Sequence, residues 1–262
     1  MTWQEGAVDA RFRACEYGEI EARIVARNAG LPSPIDSFAE DHILEATPYA
    51  IVDSDGTIGY CCVHQGRTLT QFSLDPAHSH LGQSLFARAK SLESVQESLV
   101  PTCDEFFLSH ALDACSTVKV QAYFFQHVRD VTEERETISY RWATPKDLAL
   151  VRNSSGDFFD EGVEQQLTAG QIAIGLVEQT PVAFGVFERG RILRDCVSIG
   201  MYTMPAHRGK GIAVSTLLQL IGEAHAAGLQ PIAGCWVGNH ASKRSLERAG
   251  MASRTRYVRV EF

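Results

Sequence analysis

Short apolar runs separated by turn residues recur in both halves of the chain. In the first half Tyr49–Val52 is apolar and closes at Asp53-Ser54-Asp55-Gly56; Ile58–Val63, a turn at Gly66 and Leu69–Leu74 follow. In the second half Ile172–Val177 leads through Gln179-Thr180-Pro181 to Val182–Phe187, a turn at Gly190 and a long strand candidate, Ile192–Met204. Runs of this length bounded by turn residues predict a strand meander in each half. The period then changes. Leu81, Leu85, Ala89 and Leu92 in the first half, and Val214, Leu217, Leu218 and Ile221 in the second, fall on one helical face. The chain closes on an alternating segment with Val258, Val260 and Phe262 on one face and Tyr257, Arg259 and Glu261 on the other, a half-buried strand.

A short self-match ties the two halves together. Pro76-Ala77-His78 and Pro205-Ala206-His207 stand 129 residues apart, and each is followed at the same distance by a glycine, Gly82 and Gly211. A three-residue match alone carries little. With the shared glycine, the helical stripe and the upstream hairpins, it points to duplication. The densest charge cluster, Glu133-Glu134-Arg135-Glu136, lies within Arg129–Thr137 and sets the expected division into domains 1–134 and 135–262. The expected class is α/β (α+β), with two similar halves, each a mixed and mainly antiparallel sheet flanked by helices.

Composition narrows the partners. The chain has 262 residues, 45% of them hydrophobic and 21% charged, enough for a buried core and unlike a disordered chain. The net charge of −8 disfavours general binding to nucleic acid, whose phosphates require a cationic face. No stretch approaches the roughly 18 apolar residues of a membrane span. Met1–Arg13 has no apolar signal region, so a cytoplasmic location is expected. The seven cysteines include Cys196 and Cys235 on apolar strand candidates; an odd count without a C-x-x-C pair predicts reduced, buried thiols and no metal site.

Arg208-Gly209-Lys210-Gly211-Ile212-Ala213 lies between a predicted strand and an amphipathic helix. A helix N-terminus presents unpaired N–H groups and the positive end of its dipole. Gly209 and Gly211 allow close backbone approach, Arg208 and Lys210 add charge, and Ala213 keeps the next turn small. This is a pyrophosphate cradle by its physics, although a glycine-rich turn of this kind can also be purely structural. It lacks the ending of a nucleotide P-loop and the three-glycine spacing of a dinucleotide fold.

The stretch Ile199–Ala213 resembles motif A of the GNAT superfamily of acyl-CoA N-acyltransferases, Arg/Gln-x-x-Gly-x-Gly/Ala, at Arg208, Gly211 and Ala213. Asn239–Met251 resembles motif B, Asn-x-x-Ala/Ser, at Asn239 and Ser242. The resemblance covers 138–262 well and the first half only faintly. It implies that the backbone of Met201, Tyr202 and Thr203 pairs with the pantetheine amides of acetyl-CoA like an added strand. An N–H of that strand would polarise the thioester carbonyl. Arg208, Gly209, Lys210, Gly211, Ile212 and Ala213 would hold the pyrophosphate, and Asn239, with Ser242 beside it, would meet the pantetheine arm. Asn239 also suits the N-cap of the following helix.

The implied reaction is attack of a primary amine, on a small molecule or a peptide, on the thioester of acetyl-CoA, with no metal. An alkyl amine with a pKa of about 10.4 must lose a proton, whereas a thiol near 8.5 leaves with little help. Many family members place a Tyr acid seven residues after the motif B Asn; here that position is Leu246. Tyr202, Asp195 and Glu188 are the candidate catalytic groups, with His207 behind them; each also has a plain reading as packing or solvated surface. Aligned on the shared proline, Ser79, His80, Leu81 and Ser84 replace Arg208, Gly209, Lys210 and Ala213, so the first half is expected to keep the fold without binding acyl-CoA. A monomer or homodimer is expected. A non-catalytic acyl-CoA-binding or regulatory protein is the rival reading, and an interaction module with an empty cradle is a third.

Overall fold

The computed structural model describes residues 9–131, 138–159 and 162–262. The chain divides into two compact units, Met1–Tyr123 with Thr255–Phe262, and Phe124–Arg254. The expected 134/135 division lies outside the described residues. The last segment of the chain counts with the first unit, an assignment its strand pairing explains.

In the first unit the strands are β1 (Arg11–Ala14), β2 (Thr47–Val52), β3 (Thr57–His64), β4 (Thr68–Leu74) and β5 (Glu97–Pro101). The sheet runs β1-β2-β3-β4-β5 and then takes β12 (Met251–Glu261), whose Tyr257–Glu261 pair antiparallel with β5. The meander read from the sequence, β2 to β4, is antiparallel, and β1, which the sequence reading did not find, adds antiparallel to β2. β4 and β5 are parallel, in register at Thr68 with Glu97 and Leu69 with Ser98. The helices are α1 (Tyr17–Ala29), α2 (Ser37–Leu44), α3 (Gly82–Ala89) and α4 (Glu105–Asp113). Asp36 and Asp104 start α2 and α4 by accepting from Ala39 N and Phe107 N, each at 3.0 Å. The core gathers Ile51, Val63, Leu69, Phe72, Leu85, Phe86, Phe107, Val258 and Val260. Tyr257 departs from the expected alternation. It is only 1% exposed, because Phe38 of α2 packs edge-on against its ring.

The second unit repeats the plan. Strands β7 (Ser139–Trp142), β8 (Ile172–Val177), β9 (Thr180–Arg189), β10 (Cys196–Thr203) and β11 (Gln230–Trp236) lie in the order β11-β10-β9-β8-β7. Only the β10–β11 pair is parallel within that run. β6 (Thr117–His127) contributes its end to this unit. The helices are α5 (Leu148–Ser154), α6 (Val163–Thr168), α7 (Ile212–Ala226) and α8 (His240–Arg248). The expected strand Ile192–Met204 is shorter at its start. Ile192 and Leu193 are buried from a loop, closed by Gly190 N to Cys196 O at 2.9 Å, so their apolarity marks burial rather than extension. Both Pro-Ala-His motifs form 3-10 turns, Pro76–Leu81 and Pro205–His207, each leading into a helix.

Candidate functional site

The site is a cleft of about 470 Å³ in the second unit, where β10 and β11 part. Their parallel register runs from Cys196 with Gln230 to Ser198 with Ile232. Beyond it, Ile199–Thr203 and Gly234–Trp236 line separate walls.

β10 keeps its other edge on β9. Met204 N donates to Val182 O at 3.0 Å, one step past the Thr203–Ala183 pair. Hydrogen-bonded and non-hydrogen-bonded pairs alternate in an antiparallel ladder, so Tyr202 and Gly200 spend their main-chain groups on β9. Met201 and Thr203, beyond the last paired residues of β11, therefore turn theirs toward the cleft; the N–H of Ile199 closes the parallel ladder with β11, whose phase Gln230 N sets by donating to Asp195 O at 2.8 Å. Thr203 O accepts from Arg208 Nε at 3.1 Å, in agreement with that alternation. Of the three residues expected to pair through the backbone, Met201 and Thr203 turn main-chain groups to the cleft. Tyr202 instead offers its ring, which lies 5.4 Å from that of Phe158 and 6.4 Å from that of Phe184. Thr203 Oγ1 is buried with no hydrogen-bond partner among the described residues.

The floor of the cleft is the start of α7. Gly209 and Gly211 hold φ of +79° and +81°, the left-handed region that favours glycine. Beyond their immediate chain neighbours, no atom of the described residues lies within 4 Å of where a β-carbon on either would sit. Gly211 is the N-cap and, among the described residues, no side chain caps the helix; Val214 N donates to Gly211 O at 3.0 Å, and the N–H groups before it open the helix toward the cleft with the dipole behind them. Arg208, Gly209, Gly211, Ile212 and Ala213 line the cleft, whereas Lys210 is exposed outside the lining.

α8 forms the remaining wall. Asn239 caps it, its side chain accepting from Ser242 N at 3.0 Å, and both residues line the cleft. Leu246, where the family acid would stand, is 1% exposed and lines the cleft with an apolar surface. Asp195 precedes β10 at the far end from the cleft; Glu188 pairs opposite Ser198 and accepts from Gln166 Nε2 at 2.7 Å. Neither carboxylate lines the cleft, while Tyr202 and His207 do. Sequence reasoning missed Phe158, Trp236, Ser245 and Arg248, which also line it. The aromatic pair was legible as large apolar residues outside any periodic face. Cys196 and Cys235 are buried, and burial pushes the Cys235 thiol above its ordinary value.

The corresponding place in the first unit has no such floor. Pro76–Leu81 continues as one 3-10 run into Gly82, whose φ is −53°, so no left-handed cradle forms. The ring of His110 covers Gly82 instead. A β-carbon there would lie 2.0 Å from His110 Nε2. The expectation for this unit rested on Ser79, His80, Leu81 and Ser84 in the loop itself; the covering ring comes from α4.

Residues 20–128 match the Acetyltransferase (GNAT) domain family, and residues 133–251 the Acetyltransferase (GNAT) family. An acetyltransferase of the GNAT family from Colwellia psychrerythraea superposes with a TM-score of 0.84 at 20% identity, covering 96% of this chain and 99% of that one. A GCN5-related N-acetyltransferase from Sphaerobacter thermophilus gives 0.67 at 15% identity, with 97% and 96% covered. A tandem GNAT protein from the clavulanic acid biosynthesis pathway gives 0.63 at 10% identity, with 95% and 97% covered. These likenesses establish the fold. No curated protein matches the sequence.

Proposed function

The chain belongs to the GNAT acetyltransferases, with two such domains in tandem, and from that premise we propose that its second unit transfers an acetyl group from acetyl-CoA to a primary amine of a small molecule or peptide. The observation that carries this is the open pair of left-handed glycines, Gly209 and Gly211, under the uncapped start of α7 and beside the parted β10. The residues present suit that donor. The first-turn N–H groups and Arg208 would hold the pyrophosphate. Main-chain groups of Met201 and Thr203 and the amide of Asn239 would hold the pantetheine arm.

Acetyl-CoA supplies the thioester, whose carbonyl carbon bonds to the amine nitrogen as the C–S bond breaks. The cleft-facing N–H of Met201 would polarise that carbonyl. Leu246 offers no proton, so the sulfur leaves as thiolate and takes its proton from water, which a thiol pKa near 8.5 permits. Tyr202 serves as a wall between Phe158 and Phe184, and the amine's proton passes to solvent. The first unit binds no acyl-CoA and keeps the fold. A buried Leu246 also favours a second reading, a protein that binds acyl-CoA without turnover.

Thiol release from acetyl-CoA with a panel of amines and peptides, for the wild type beside Gly211→Trp, tests these readings. Release that requires one acceptor and disappears in the variant supports the transferase. Tight acetyl-CoA binding without release across the panel favours the non-catalytic reading. Absence of binding by calorimetry overturns the cradle, and more than one site per chain overturns the assignment of the first unit.

A further inference from the structure

We propose, building on the acetyl-transfer reading above, that Phe158 and Trp236 form the acceptor end of the cleft and select an amine attached to an aromatic ring. The argument begins with the alternation of β11. Cys235 is buried, and its thiol donates to Asn239 O at 3.4 Å, which fixes Cys235 on the α8 side. Successive side chains on a strand point to opposite faces, so Gly234 and Trp236 face the other side of the sheet. Both are exposed, Trp236 by 62%.

Phe158, in the segment between α5 and α6, is 40% exposed and lines the same cleft. It lies over β10 at Gly200, where a β-carbon would come 4.0 Å from Phe158 Cζ. Trp236 folds back over its own turn. A β-carbon at Gly238 would fall 2.4 Å from its ring atoms Cη2 and Cζ3, so only glycine leaves room for the indole there. Two large rings thus lie at the cleft with much of their surface open to solvent, and Gly200 and Gly234 carry no side chain to fill the space beside them. Scattered exposed apolar residues are ordinary; two aromatic rings lining one cleft are a recognition surface. Aromatic rings prefer offset or edge-on contact with another ring; Phe158 already meets Phe159 at 5.0 Å and Tyr202 at 5.4 Å, and its remaining surface and that of Trp236 are exposed. No carboxylate lines the cleft among the described residues, so the rings are the feature there that can tell one amine from another.

The test uses the full chain with CoA present and measures binding of 2-phenylethylamine, n-butylamine and cadaverine by calorimetry, beside thiol release from acetyl-CoA with the same amines. The expected result is about tenfold tighter binding of 2-phenylethylamine than of n-butylamine. Phe158→Leu and Trp236→Leu should each remove much of that preference while acetyl-CoA affinity moves less than the preference does. Equal binding of the two monoamines, tighter binding of cadaverine, or Leu variants that weaken acetyl-CoA instead of the aromatic amine would each overturn the proposal. Preferential binding of 2-phenylethylamine without thiol release would uphold the aromatic site and count against acetyl transfer, so the two readings fail separately.

Discussion

Counted from their caps, α4 and α8 carry opposite contents at the same positions. Asn239 opens α8, and the second, third and sixth residues after it, Ala241, Ser242 and Ser245, line the cleft with small side chains. Asp104 opens α4, and the same positions hold Phe106, Phe107 and His110. Phe106 stacks on Phe72 with centroids 5.8 Å apart, Phe107 is fully buried, and His110 covers Gly82. The caps differ in the same sense. Asn239 is exposed at the cleft, whereas Asp104 is buried and paired with Arg27. One fold has been used twice, once with the groove left open and once with the groove converted into core. The conversion required rings on one helix more than the removal of charge from a loop.

The largest effect expected from testing this comparison is on stability. Phe107→Ser should destabilise the chain by about 3–5 kcal/mol in denaturant unfolding, the range for losing a buried aromatic, without adding a second acetyl-CoA site. The reciprocal exchange, Ala241→Phe with Ser242→Phe and Ser245→His, should lower acetyl-CoA affinity about a hundredfold or more, roughly 2.7 kcal/mol, in calorimetry of a folded variant. Undiminished binding would break the comparison. Gly82→Ala should cost about 1–3 kcal/mol through overpacking, and His110→Ala in the same chain should recover part of it, a coupling readable in a double-mutant cycle.

The smallest effect is on pH dependence. Burial holds His110 below its ordinary value, so the unfolded chain binds its proton more readily and stability falls as pH drops through about 6.5. His110→Phe should therefore lose less stability than the wild type between pH 8 and pH 5 in thermal unfolding.

Much of this was legible in the sequence, for reasons tied to particular residues. The repeated Pro-Ala-His turns, the hairpins before them and the Gly209/Gly211 cradle are local, and local patterns are written in consecutive residues. Ile192 and Leu193 misled because apolarity reports burial whether the backbone is a strand or a loop. Tyr257 misled because the second face of β12 is covered by Phe38, more than 200 residues earlier in the chain. The filling of the first groove was hidden for the same reason. His110 and Gly82 meet only in space, and the match between α4 and α8 emerges only when their caps are aligned. Glu188 and Asp195 look alike in sequence to residues that could reach a cleft, and only the pairing of β9 with β10 shows which end they occupy.

The pairing of Tyr257–Glu261 with β5 has a consequence for the order of events on the ribosome. The ribosome must make the whole second unit before it makes the strand that completes the first sheet. Until then β5 presents an edge lacking its final partner, so the first unit waits for the second to be synthesised, and cutting the chain between the two repeats would release a first half with that edge permanently open.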